Sequence, residues 1–183
     1  FGERFPLQGI VDARADIIGP WKAWEGSLQV SGDALKLGEQ ELGSLTVSGF
    51  SNGGKEINVV ANARYQQLSM RLRMPHSLAG RSTLYTRTRG FDFGFLFPPA
   101  TVAKHNLYTQ VDSEVILVGP GPLTDDDGTG LAWHQRWEAQ GALTRAGFQY
   151  RQLRFALDAK TPFTLKDRRL SIPKLRLAAT GGH

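Results

Sequence analysis

The sequence predicts an all-β protein built on an antiparallel-rich sheet with one apolar face, and three observations lead to this prediction. Apolar and polar residues alternate with period two along most of the chain, as in strands whose successive side chains point to opposite faces. Glycine is frequent, with 21 among 183 residues, which suits strands joined by tight turns. No apolar pattern of helical period is long enough to cover such a sheet.

The strand pattern is clearest at 66–74 (QQLSMRLRM), where Leu and Met occupy the even positions. In the preceding stretch 56–64 (EINVVANAR), apolar residues occupy the odd positions. This change at Tyr65 predicts a turn between two strands that keep their apolar side chains on one shared face. The same alternation recurs along the chain, and we expect roughly ten to twelve strands.

Three short segments interrupt the alternation. Residues 101–106 (TVAKHN) follow two prolines and are predicted to form a short helical turn. Residues 119–130 (GPGPLTDDDGTG) have the composition of a loop. Pro173 lies where the apolar residues move from even to odd positions. This predicts a bulge or bend, because proline donates no hydrogen bond to a neighbouring strand.

No linker divides the chain, so residues 1–182 are interpreted as a single segment. The similarity between 26–38 (GSLQVSGDALKLG) and 42–49 (LGSLTVSG) indicates similar rungs of a β-ladder. We expect the segment to be excised from a longer repetitive chain, with His183 as the first residue of a purification tag. The lack of cysteine favours, weakly, an oxidising compartment.

The net charge of +5 comes with 15 arginines and seven lysines that are spread along the whole chain. A nucleic-acid-binding protein usually clusters such charge on one helix or patch, so no nucleic acid is expected as a partner. Arginines such as Arg71 and Arg73 occupy polar positions of predicted strands, which favours a solvated sheet face. Attraction to anionic lipid headgroups is the alternative interpretation.

The sequence contains no residue pattern typical of catalysis, and we predict neither an enzyme nor a cofactor. It has no cysteine nucleophile and no GxSxG or phosphate-binding glycine motif. His76, His105 and His134 are isolated, so no histidine metal site is expected. The consecutive acidic residues 125–127 lack the alternate spacing and closing glutamate of a calcium loop, and are interpreted as an exposed acidic turn.

Four tryptophans fall into two pairs, and they leave one alternative open. Trp21 and Trp24 form one pair, and Trp133 and Trp137 form the other. In a β-sandwich, such pairs could stack against a sugar ring, as in a carbohydrate-binding module. The favoured interpretation is that they cover the ends of an apolar core.

Two long stretches resemble the repeating unit of the TamB/AsmA-like family. They are 114–133 (EVILVGPGPLTDDDGTGLAW) and 153–182 (LRFALDAKTPFTLKDRRLSIPKLRLAATGG). The first has a strand that ends in a Gly-x-Leu element before an acidic turn. The second has an apolar pair before a charged turn and two further strand pieces. The TLYTRTRGFDFGFLF stretch and the 26–49 repeat are similar in style, so that the resemblance spans most of the chain.

The resemblance implies an elongated, curved antiparallel-rich sheet that forms a taco- or gutter-like groove with an apolar interior. It further implies a periplasmic segment that conducts phospholipid between the inner and outer membranes, supports outer-membrane protein assembly, or does both. The implied partners are phospholipid acyl chains, a TamA-like outer-membrane β-barrel and client outer-membrane proteins. An inner-membrane anchor is expected in the full-length protein, outside this chain. A β-augmentation scaffold for client β-barrels is the alternative function, ahead of a carbohydrate-binding β-sandwich.

The residues predicted to line the lipid groove are the clearest apolar positions of the alternating stretches. They are Ile57, Val59, Leu68, Met70, Leu72, Leu107, Val111, Val115, Leu117, Leu153, Phe155, Leu157, Leu175 and Leu177.

Overall fold

A computed structural model of the chain describes residues 7–19, 25–37, 40–76, 80–92, 94, 97–121, 136–167 and 169–180. These residues form one antiparallel sheet of twelve strands and one short helix. The predicted class, an all-β protein with an antiparallel-rich sheet, is confirmed. The elements in chain order are β1 (Leu7–Ile18), β2 (Glu25–Leu37), β3 (Gln40–Ser51), β4 (Glu56–Ala63), β5 (Leu68–Pro75), β6 (Arg81–Phe91), α1 (Pro99–His105), β7 (Tyr108–Pro120), β8 (Glu138–Tyr150), β9 (Leu153–Leu157), β10 (Thr161–Lys166), β11 (Arg169–Ser171) and β12 (Leu177–Thr180).

The strands follow one another in space as they do in the sequence. Each strand from β1 to β7 pairs antiparallel with the next one. The sheet then divides at β8, because the first half of this strand pairs with β10 and the second half with β9. β11 extends the sheet beyond β10, and β12 extends it beyond β9. The fold is therefore a long meander with a fork at one end.

The sheet is open and uncurled. β1 forms one edge and pairs only with β2 in the described part of the chain. The extensive contacts between elements all join hydrogen-bonded neighbours, so the described residues form a single layer. An open sheet does not enclose a groove, and the apolar interior that the resemblance implies stays a prediction.

The predicted turn at Tyr65 joins β4 to β5 and is confirmed. Arg64, Tyr65 and Gln66 adopt left-handed φ angles of 50°, 53° and 67°, a region that residues other than glycine seldom occupy. Ser44 of β3 anchors the turn, since its carbonyl oxygen accepts the Arg64 N–H at 2.9 Å and its hydroxyl accepts the Tyr65 N–H at 3.2 Å. These contacts hold three consecutive left-handed residues in place.

Two of the other predicted interruptions, the helical turn and the bend at Pro173, are found where they were expected. The helical turn predicted at 101–106 is α1, which begins at Pro99, a position where the missing N–H costs nothing. Pro173 lies at a bend between β11 and β12. Of the predicted loop, Gly119 and Pro120 belong to β7, so that the loop begins later than predicted, and residues 122–130 lie outside the described residues.

Candidate functional site

The strand register sorts the strand residues onto two faces of the sheet. Residues that are directly opposite each other in antiparallel strands project to the same side, and successive residues along one strand alternate sides. Tracing these pairs from β1 to β11 gives rows of side chains that run across the strands. One face, here called the apolar face, carries mostly Leu, Val, Ala, Met and Phe. The opposite face, here called the polar face, carries the Arg, Asp, Glu and Asn residues.

One row on the apolar face contains no polar side chain and crosses ten strands. At about 4.8 Å per strand, it is roughly 40 Å long. We call it the leucine row, and its members from β1 to β11 are Ala15, Leu28, Gly49, Val59, Leu72, Leu84, Leu117, Ala139, Leu165 and Leu170.

The rows beside it become progressively more polar. On one side lies the middle row, whose only hydroxyl is that of Thr86; its members are Ala13, Val30, Val47, Ala61, Met70, Thr86, Val115, Gly141 and Phe163. The row after that, here called the hydroxyl row, contains Thr88 and Ser113, whose hydroxyls are 2.9 Å apart. The apolar character of the face is therefore concentrated on a line across the strands.

The structure places most of the predicted groove residues on the apolar face. Val59, Leu72 and Leu117 lie in the leucine row, and Met70 and Val115 lie in the middle row.

Other predicted residues share this face but lie in other rows, namely Ile57, Leu68 and Val111. A separate patch lies on the β9 branch of the fork, where the Phe148 and Phe155 rings are 6.4 Å apart. Leu153, Leu157 and Leu177 belong to this patch. Leu107 and Leu175 are outside the strands, just before β7 and β12.

Several members of the leucine row escaped the sequence prediction. Leu84 lies in β6, where the surrounding Thr residues obscure the apolar phase, although Arg87 and Arg89 at odd positions mark the opposite face.

In β8, a bulge at Thr144 shifts the alternation, so that Leu143 and Phe148 share a face despite their odd spacing. A bulge of this kind has no signature in residue type alone.

The buried residues of the apolar face are mostly short. Ser51, Ser82, Thr88, Ser113 and Thr161 are each exposed by 8% or less. The longer Leu28, in contrast, is 37% exposed. In a single-layer sheet, long side chains reduce the solvent exposure of the short side chains beside them and extend further from the sheet. The outer surface of this face is therefore formed by the large apolar groups.

The polar face is tied together by ion pairs between neighbouring strands. Two pairs join residues that are directly opposite each other, with N–O distances of 3.3 Å for Arg87–Glu114 and 2.9 Å for Arg145–Asp112. A third joins Lys166 of β10 to Glu138 of the neighbouring β8 at 4.0 Å. Opposite charges in this position stabilise strand pairing by a few tenths of a kcal/mol to about 1 kcal/mol. These pairs explain why the charged residues of the strands recur in phase.

Asp112 forms one anchor of the polar face. The Gly90 N–H donates to its carboxylate at a bulge of β6, where Gly90 has φ 55°. This donated hydrogen bond, with a further contribution from the Arg145 guanidinium, holds the pKa of Asp112 below its ordinary value of 3.8. At the β8 bulge, the Thr144 hydroxyl donates to the Asp112 carbonyl oxygen at 3.2 Å. Asp112 therefore forms a hydrogen bond with each of the two bulges that flank β7, one in β6 and the other in β8.

Glu56 forms a second anchor of the polar face. The Asn58 side-chain amide donates to its carboxylate at 3.0 Å, and the Arg73 guanidinium lies at 2.6 Å. Both contacts lower the pKa of Glu56 from its ordinary value of 4.5, the Asn58 hydrogen bond most strongly.

The polar face also carries shallow depressions. One of about 370 Å³ lies over β1 to β4, with Arg14, Gln29 and Ser48 among its lining residues. Another of about 220 Å³ lies over β4 to β6 and includes Asn62, which borders the first as well. The two depressions therefore adjoin each other on the face opposite the leucine row.

The remaining sequence predictions fall partly within the described residues. Trp137 packs its ring against Gly119, where a Cβ atom would lie 2.3 Å from the indole. His76 is hydrogen-bonded through Nε2 to the Ser51 hydroxyl at 3.1 Å, and His105 stacks on Tyr150 with 5.3 Å between ring centroids. The other predicted positions, Trp21, Trp24, Trp133, His134 and 125–127, lie outside the described residues.

Comparison with known proteins identifies no similar protein. No family model, curated protein or solved structure matches the chain. Within the described ranges, no helix is long and apolar enough to cross a membrane. The same residues contain no group of three His, Asp or Glu side chains that could hold a metal ion.

Proposed function

We propose that the sheet is a lipid-conducting segment, in which phospholipid acyl chains bind along the leucine row of the apolar face. The observation that supports this proposal is the row itself, which crosses ten strands without a polar side chain. In the described part of the chain, no second layer packs on it.

The energetics favour an acyl chain as the occupant. Burial of one CH₂ group is favourable by roughly 0.8 kcal/mol. Transfer of an acyl chain of about 16 carbons into water therefore costs free energy on the order of 10 kcal/mol. A continuous apolar row lowers this barrier at each step of a movement across the strands. No catalytic group is needed for such passage, because no bond is formed or broken.

The family resemblance supplies the cellular setting of the proposal. In this setting, the segment lies in the periplasm, phospholipid moves between the inner and outer membranes, and a TamA-like β-barrel is the partner at the outer membrane. The full-length protein is anchored in the inner membrane, and assembly of outer-membrane proteins is a second task of the same sheet.

Site-specific photocrosslinking tests the proposal. A photoreactive amino acid is placed at Leu72 or Leu84 in the leucine row, and at Thr83 on the polar face as the control. We expect phospholipid to be captured at both leucine positions and not at Thr83. The proposal is abandoned if no phospholipid co-purifies with the protein and neither leucine position captures any.

A β-augmentation scaffold is the second candidate function, and it is favoured by the outer edge of β1, which pairs with no other strand in the described part of the chain. Successive backbone N–H groups of a strand point to opposite edges of that strand. Of the two substitutions Asp12→Pro and Ala13→Pro, one therefore removes an N–H that points away from β2 and leaves the hydrogen bonds to β2 intact. The variant that keeps its fold should lose binding of a client barrel and retain lipid capture at Leu72. Retained client binding in that variant would count against this function.

A further inference from the structure

A cluster of arginines lies in the smaller depression of the polar face, which the lipid-conducting function does not use. Arg71 in β5 and Arg87 and Arg89 in β6 line this depression of about 220 Å³, together with Asn62 and Ser69. Ser69 is directly opposite both Asn62 and Arg87, so neutral donors and guanidinium groups meet on three adjacent strands.

The arginines that line this depression differ in whether a carboxylate pairs with their positive charge. Arg87 forms an ion pair with Glu114 at 3.3 Å. Among the described residues, no carboxylate forms an ion pair with Arg71 or Arg89. In the part of the chain that the structure describes, Arg71 and Arg89 therefore lie beside the depression without a direct salt-bridge partner, and Arg89 interacts with the Asp112 carboxylate only at longer range.

Charge and donor geometry together define a ligand class. A guanidinium group presents paired N–H donors that match two oxygens of a phosphate group. The guanidinium groups of Arg71 and Arg89 favour an anionic ligand such as a phosphate monoester. We propose that this depression binds a phosphate monoester group, with Arg71 and Arg89 as the principal ligands and Arg87, Asn62 and Ser69 as additional donors. This site lies on the face opposite the leucine row and does not depend on the lipid-conducting function.

Two probes distinguish the possible sources of such a group. Glycerol 3-phosphate is titrated calorimetrically as a soluble monoester, and phosphatidylcholine vesicles with or without phosphatidic acid are tested by co-sedimentation. Binding of glycerol 3-phosphate assigns a soluble ligand. Binding that requires phosphatidic acid in the vesicle, without binding of the soluble ester, assigns a lipid headgroup.

Two matched variants test the site itself. Arg71→Gln removes one unpaired guanidinium from the depression. Arg73→Gln makes the same change of charge two residues away, on the same strand and face, at a residue paired with Glu56. We expect Arg71→Gln to weaken binding of the responding probe about tenfold or more, and Arg73→Gln to change it by about twofold at most.

The proposal is overturned if the wild-type protein binds neither probe. Equal weakening by the two variants would also overturn it, because a general positive potential of the face would then account for the binding. Arg71 is exposed, so both variants should fold, and their thermal unfolding curves check this. Lipid capture at Leu72 should stay unchanged in both variants, which separates this site from the proposed function.

Discussion

On the apolar face most of the buried side chains are short, with Leu35 and Phe91 as the large exceptions, whereas on the polar face long charged side chains pair with one another. The apolar face keeps Ser82 fully buried while Leu28 remains 37% exposed. On the polar face, Arg145 meets Asp112 at 2.9 Å and Arg87 meets Glu114 at 3.3 Å. Several charged groups of the polar face are thus paired within the sheet, whereas the apolar face has large groups that project without a second layer of described residues.

This difference has a physical consequence. Large contiguous apolar surfaces on soluble proteins mark sites where a ligand, a membrane or another protein binds. Polar groups are well solvated by water and need no binding partner. Their ion pairs between neighbouring strands stabilise the strand register. We infer that the ion pairs of the polar face hold the sheet in register while the apolar face provides the surface for an acyl chain. The following experiments test this division of roles.

The largest effect is expected from a charge in the apolar face. Leu72→Asp places a carboxylate in the leucine row, where an acyl chain would have to pass an ionised group. We expect lipid capture at Leu84 to be abolished in this variant, with Val115→Asp in the middle row causing a similar loss. Folding should be affected less than capture, because these side chains are only half-buried.

Thr83→Asp is the matched control for this prediction, since it introduces the same charge on the polar face beside Leu84. Capture at Leu84 and the free energy of unfolding, from urea titration, are measured for all three variants. If Leu72→Asp lowers both properties equally, then Leu72 belongs to an ordinary closed core and the division between the faces fails.

The next largest effect is expected on stability, from Asp112→Ala on the polar face. This change leaves the Gly90 N–H and the Arg145 guanidinium without their acceptor. Loss of such an acceptor should lower the free energy of unfolding by about 1–3 kcal/mol. Glu114→Ala breaks only an exposed ion pair and should cost about 1 kcal/mol at most. Equal losses in urea titrations would show that the bulges around Asp112 do not set the register.

A smaller effect follows from the pH dependence of Asp112. The pKa of its carboxyl group is lower in the folded protein than its ordinary value of 3.8. The resulting stabilisation is present above that value and is lost as the pH falls through the folded pKa. Between neutral pH and about pH 3, the Asp112→Asn variant should therefore lose less stability than the wild type. Identical losses in urea titrations at the two pH values would contradict the role of this carboxylate.

The sequence alone allowed the fold class, the turn at Tyr65 and the short helix after Pro98 to be predicted, because each depends on local residue type. It also allowed Val59, Leu72 and Leu117 to be assigned to one apolar face, while their role in a lipid groove stays a prediction. What joins them into one row is the register across β6, and Leu84 of that strand was not recognised. Register depends on pairing between strands and on bulges such as the one at Thr144, for which the sequence carries no local signal.

The smallest effect on stability is expected from a double variant that removes a hydrogen-bonded pair of hydroxyls from the apolar face. The Thr88 and Ser113 hydroxyls are 2.9 Å apart and buried. Ser113→Ala alone removes one partner and should lower the free energy of unfolding by about 1 kcal/mol or more. The double variant Thr88→Val, Ser113→Ala removes both groups and should be nearly as stable as the wild type, since no unsatisfied hydroxyl remains.

The double variant also extends the apolar surface from the leucine row into the hydroxyl row. If this face binds acyl chains, a photocrosslinker at Leu143, which is opposite Ser113, should capture more phospholipid in the double variant than in the wild type. The same measurement with Ser113→Ala separates the gain of apolar surface from the loss of stability. Unchanged capture at Leu143, in a double variant that is as stable as the wild type, would mean that the hydroxyls do not limit lipid to the leucine row.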